Sequence, residues 1–206
     1  MAISVTNDPL EQNLNSGEGA MLYNLFFKYV ALPIAESLRG LRIREFLAEL
    51  EETQWWSMSQ LVDLQEERLR RLIAYAFLKV PYYRRIMQER GLQPQDIQGI
   101  GDLPKLPVLT RQDVRLYYHE LLSTDLSDRR VRIKSTGGTT GEPLQYYVDW
   151  DAWSHLTACR YRGLGFAGYE MGDKMATLAG SSLIPNLNPR LQDRLRWRIE
   201  RNLPMS

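Results

Sequence analysis

The sequence predicts an α/β chain in which a helical front section is followed by the beginning of an α/β domain. Two observations lead there. Apolar residues recur at helical spacing through the first half, whereas after Ser127 the pattern becomes alternation on either side of a glycine–threonine run. The expected division is a flexible tail over 1–20, a mainly helical section over 21–127 and the start of the α/β domain over 128–206. Few strand patterns are legible beside the roughly five or six of an average sheet. Leu203-Pro204-Met205-Ser206 follows directly on a helix, so the last domain is expected to be truncated.

The opening residues are polar and acidic, unlike the basic start of a secretory signal. Met21–Leu38 is apolar but broken by Lys28, Pro33 and Glu36. That falls short of the ~20 apolar residues a membrane span needs. The first expectation is an amphipathic helix lying on the rest of the fold. The second is peripheral membrane contact through Leu22, Leu25, Phe26 and Phe27.

Leu41, Ile43, Phe46, Leu47 and Leu50 mark one helix, and Leu61, Leu64, Leu69, Leu72, Ile73, Ala76 and Phe77 a second, which Pro81 closes. Tyr82 to Arg90 reads as a short helix ending at Gly91. Pro104 and Pro107 predict extended chain before a helix begins near Thr110. There Thr110 is the expected N-cap and Asp113 the carboxylate three residues on. Val131–Lys134 and Leu144–Val148 read as strands. Asp151 is expected to cap a helix reaching Arg162, where Gly163, Gly165 and Gly168 end it. Lys174–Ala179 reads as a buried strand. A last helix from Pro189 to about Asn202 carries Leu191, Leu195 and Ile199 on one face.

A net charge of +1 gives no pull toward nucleic acid, and no nucleic-acid partner is expected. The single cysteine, Cys159, excludes an internal disulfide and a Cys-rich zinc site, which suits a reducing, cytoplasmic setting. With only His119 and His155 present, no histidine metal site is expected.

Between the two strand patterns lies Ser135-Thr136-Gly137-Gly138-Thr139-Thr140-Gly141. Glycines let successive N–H groups face one concavity that attracts anions, and small hydroxyls add donors without bulk. Lys134, at the end of the strand, would add positive charge if it reached that side. This is not a Walker A loop, because Glu142-Pro143 follows Gly141 where lysine is required. Composition alone leaves a plain hairpin connection open beside a phosphate cradle.

Ser135 to Leu144 resembles the phosphate-binding signature of the adenylate-forming superfamily of acyl-CoA synthetases. More narrowly it is similar to the phenylacetate–CoA ligase-like branch that includes capsular polysaccharide biosynthesis proteins. Trp55-Trp56, Tyr75-Ala76, Val80-Pro81-Tyr82-Tyr83-Arg84 and Leu103–Thr110 share the likeness, as does Gly172-Asp173 ahead of a strand. It runs from about Leu41 to the C-terminus.

The resemblance implies the start of a nucleotide-binding domain that uses ATP, magnesium (Mg2+) and coenzyme A to activate a small carboxylic acid. Ser135, Thr136, Gly137, Gly138, Thr139, Thr140 and Gly141 would then hold phosphates, with Thr139 and Thr140 in direct contact. Two departures stand out. Leu144 occupies a place where many members carry lysine. The adenine-binding segment, the aromatic-glycine-x-threonine-glutamate motif, the ribose-binding aspartate and the domain with the catalytic lysine are not found. No catalytic residue is therefore assigned, and a complementary chain supplying those parts is one expectation. The alternative is a non-catalytic remnant or partner protein that associates with a membrane surface or a complementary chain through its apolar N-terminal segment and basic last helix.

Among other residues, His155 is expected to pack or face solvent, with a carboxylate-site contact as the alternative. Cys159 is expected to be a small buried residue. Trp55 and Trp56 are expected to be packing anchors, and the arginines of the last helix a solvated face or a contact for anionic lipid or a second chain.

Overall fold

A computed structural model describes residues 17–136, 143–178 and 191–205. Two compact units are present, one formed by the chain up to Leu50 together with that from Ile133 onward, the other by Glu51–Arg132. Helices and turns fill the described chain until Val131, so the expected helical front section is observed.

In the first unit, α1 (Gly17–Phe26) continues through a π turn (Phe27–Ala31) into α2 (Leu32–Arg39). Pro33 explains the π turn. Proline has no N–H to give and its ring presses on the preceding turn, and widening by one residue relieves both. Leu32 accordingly donates its N–H to the Phe27 carbonyl. The extra residue resets the helical phase, so Asn24, Phe27, Leu32 and Glu36 fall on the buried side while Phe26 stands outside. Phe27 is core, which corrects its expected place in a membrane contact.

Gly40 ends α2 in the left-handed region at φ 68°, a conformation that costs glycine nothing. Glu36, buried beneath this turn, accepts the Arg44 N–H at 2.7 Å and the Arg44 Nε–H at 2.5 Å, holding the start of α3 (Ile43–Thr53). The core of this unit comprises Phe27, Leu32, Ile43, Leu47 and Ala158, flanked by Tyr23, Phe46 and Tyr161.

The second unit is organised by α4 (Met58–Lys79) and α5 (Pro81–Glu89). Ser57 caps α4 in a reciprocal box with Gln60, and Val80 takes the extended geometry that a following proline demands. Ile73, Met87 and Ile97 form its core. The stretch expected to be extended instead holds a 3-10 turn at Ile100–Lys105 with Pro104 inside. Asp102 explains this, since its carboxylate accepts the Gln98 and Gly99 N–H groups and folds the segment back. The Thr110–Asp113 capping box is present and opens α6 (Arg111–Leu116). Trp55 is 83% exposed, so it is no packing anchor.

β1 (Val131–Ser135) pairs with β2 (Gln145–Asp149), and α7 (Trp150–Gly165) follows at once. β3 (Met175–Leu178) pairs in parallel with β4 (Asn202–Met205), Met175 opposite Asn202, after α8 (Leu191–Ile199). The helix stops at Ile199, short of the expected end near Asn202, and β4 begins after a turn. Arg201, at φ 47°, breaks the helical path, and its carbonyl accepts the Met175 N–H at 2.9 Å. β3 is also less enclosed than expected: Met175 is half-buried and Ala176 exposed.

Candidate functional site

The glycine–threonine run grows out of the β1–β2 hairpin. Its anchors are visible. The Thr136 N–H donates to the Leu144 carbonyl at 2.9 Å, and the Leu144 N–H donates to Thr136 Oγ1 at 3.0 Å. These reciprocal bonds close the base of the hairpin, because a β-strand pair needs its flanking amides satisfied before the chain leaves the ladder. Of the predicted phosphate-binding residues, Ser135 ends β1 with its side chain exposed, and Thr136 forms the hairpin base. Gly137, Gly138, Thr139, Thr140 and Gly141 lie outside the described residues.

Thr136 thus has a second role that composition did not reveal. Its amide is spent inside the protein, and its hydroxyl accepts a backbone bond while keeping a proton to donate. Lys134 does not stand as a bare charge either. Its ammonium lies 4.8 Å from the centre of the Trp153 ring on α7, a cation–π contact that ties β1 to the helix.

α7 is held firmly. Asp149, not Asp151, is its N-cap: the carboxylate accepts the Ala152 N–H at 2.7 Å. Asp149 already has the extended backbone of a cap because it closes β2, whereas Asp151 is the second residue of the helix, within its first turn, and meets Arg42 at 3.4 Å. Ser154 is fully buried. It donates to the Trp150 carbonyl at 2.6 Å and accepts the Arg42 N–H at 3.0 Å, linking α7 to the start of α3. The helix passes Gly163 and runs to Gly165, beyond the expected end at Arg162. Sequence reading missed Asp149, Ser154 and Arg42. An aspartate at the last strand position, three residues before Ala152, was the available signal for the first.

His155 packs edge-on against Phe46 with centroids 5.2 Å apart, and its Nδ1 lies 3.7 Å from Cys159 Sγ. Cys159 is half-buried. Among the described residues no cluster of His, Cys, Asp or Glu is arranged to hold a metal ion.

Gly172 fixes the approach to β3. Its φ of 102° suits glycine alone, and an added Cβ would lie 2.9 Å from the Asn24 Cα. Beside it the Asn24 side-chain amide donates to the Asp173 carboxylate at 2.8 Å. Burial raises the Tyr161 hydroxyl above its ordinary value, while its ring stacks on Tyr169.

No protein-family model matches the chain. Over 138 residues, 66% of the chain, it is 33% identical to phenylacetate-coenzyme A ligase of Escherichia coli. Over 80 residues it is 41% identical to the Thermus thermophilus enzyme of the same name. The chain is homologous to the phenylacetate–coenzyme A ligases. It spans 31% of the length of the Escherichia coli ligase and 18% of the Thermus thermophilus ligase. A solved 2-hydroxyisobutyryl-CoA ligase, in complex with 2-HIB-AMP and CoA, aligns at a TM-score of 0.45 and 19% identity. That alignment takes in 73% of this chain and 32% of the ligase.

Proposed function

We propose that this chain carries the phosphate-binding hairpin of an ATP-dependent, carboxylate-activating ligase. Homology to phenylacetate–coenzyme A ligases is the observation that supports it. In the first step a carboxylate oxygen attacks the α-phosphorus of ATP. The bond to the leaving pyrophosphate breaks, leaving an acyl-adenylate. In the second, the sulfur of coenzyme A attacks the acyl carbon and AMP departs with the bonding pair.

The backbone amides of Gly137, Gly138 and Gly141 and the hydroxyls of Ser135, Thr139 and Thr140 would meet the β- and γ-phosphate oxygens. Thr136 belongs to the frame rather than the cradle, with only its hydroxyl proton left to give. Magnesium, when bound, would neutralise charge building on the phosphates. On this reading, residues for adenine, ribose and the catalytic lysine would be supplied by a longer form of the chain or by a complementary one. The reading places the protein in the cytoplasm, with a link to capsular or other cell-surface polysaccharide assembly.

The test has two arms. Titrating ATP–Mg2+ into labelled protein should shift the amide signals of Gly137–Gly141, and unchanged signals at millimolar nucleotide would remove phosphate binding from this chain. Pyrophosphate release across a panel of carboxylic acids, with this chain and with any extended form, identifies the substrate class.

A further inference from the structure

Two stretches of the same unit, α1 through α2 and α8, leave apolar faces uncovered. Along α1, the π turn and α2, Met21, Leu22, Leu25, Phe26, Tyr29 and Ile34 are exposed, Leu22 by 68%. On α8, Leu191, Leu195 and Ile199 are exposed at helical i, i+4 spacing, Leu191 by 82%. The apolar face expected on the last helix therefore points outward.

These faces adjoin through Tyr23. Its hydroxyl donates to the Ile199 carbonyl at 2.6 Å, its ring centre lies 6.0 Å from that of Phe26, and the Arg201 guanidinium sits 3.9 Å over it. Cations stand among the apolar side chains. Lys28, Arg39, Arg194 and Arg198 are exposed, while the buried Glu36 is turned inward to Arg44 and Glu18 alone is an exposed acid on α1 or α2. A surface meant for a protein interior sheds its charges at the centre of the patch. Exposed aliphatic and aromatic side chains interleaved with lysine and arginine match instead the boundary between acyl chains and phosphate headgroups. No helix among the described residues is long and apolar enough to cross a membrane, so such a surface would be met lying flat.

We propose that α1, α2 and α8 together form a docking surface for an anionic phospholipid bilayer. Leu22, Leu25, Phe26 and Leu195 enter the acyl boundary, and Lys28, Arg194 and Arg198 meet the headgroup phosphates. This stands apart from the ligase reading and needs no nucleotide.

Flotation of the full chain with vesicles tests it. The chain should float with phosphatidylcholine–phosphatidylglycerol vesicles and remain at the bottom with phosphatidylcholine alone. Arg194→Gln/Arg198→Gln should weaken partitioning by about thirtyfold, and Leu22→Gln/Phe26→Gln should abolish flotation at an unchanged far-ultraviolet dichroism spectrum. If the apolar variant fails to fold, the arginine variant decides, because its side chains are already in solvent. Absence of flotation on anionic vesicles would overturn the proposal, as would equal flotation on both compositions or unaltered binding of the arginine variant. An oligomer that Leu22→Gln/Phe26→Gln disperses, without flotation of the parent, would reassign the face to a second copy of the chain.

Discussion

Gly172 concentrates much of the residue-scale information. The sequence marks it only as a glycine before a strand, yet its value depends on Asn24 and Phe27, far away in the chain. Replacement by alanine would force a β-carbon into left-handed backbone and against the Asn24 Cα at 2.9 Å. Gly172→Ala should therefore cost about 2–5 kcal/mol, the sum of a left-handed penalty and overpacking. The urea midpoint measures it, and an unchanged midpoint would mean the contact relaxes freely. Phe26 and Phe27 make a similar point. Adjacent and chemically identical, they have opposite fates because successive helical side chains point about 100° apart, and only packing against the core decides that the Phe27 side is the covered one.

At the scale of elements, caps and hairpin ends decide where structure begins. Thr110 and Asp113 were legible because a capping box is closed within four residues. The Asp149 cap was not, because two aspartates flank Trp150 and only the end of β2 selects between them. Asp149→Ala should cost about 1 kcal/mol, read in the thermal midpoint, and Asp151→Ala should cost less, its partner Arg42 being exposed.

The segment leading into β1 offers a pH test. The Ser123 hydroxyl, the Tyr75 hydroxyl and Arg129 all serve the Asp125 carboxylate, and the Ser123 bond first of all holds it well below the usual carboxylate range. A folded value below the unfolded one contributes stability that is complete above the unfolded carboxylate range, about 3.9. It is lost as pH falls through the depressed folded value. Urea midpoints should therefore fall between about pH 4 and pH 2, and Asp125→Asn should flatten that fall. An equal acid response in the variant would assign the effect to other carboxylates, Asp102 and Asp113 among them.

For the molecule as a whole, the two units keep separate cores. Ile97 is fully buried with Ile73 and Met87, although it lies in a short connection that periodicity does not mark. Ile97→Ala should cost about 2–5 kcal/mol, with the loss seen first in amide exchange of α4 and α5. If only local signals near residue 97 change, that core does not unfold as a unit.

The sequence alone determined the kind and order of most elements, the Thr110 cap and the hairpin around the glycine–threonine run. Each follows from hydrogen bonds and backbone sterics that act within a few residues. Tertiary structure alone decided which residues meet across long separations. Tyr23 reaches the Ile199 carbonyl across 176 positions, β4 forms because β3 offers it an edge, and Trp55 is left 83% exposed. Such pairings depend on where whole elements lie, and local spacing carries no record of that.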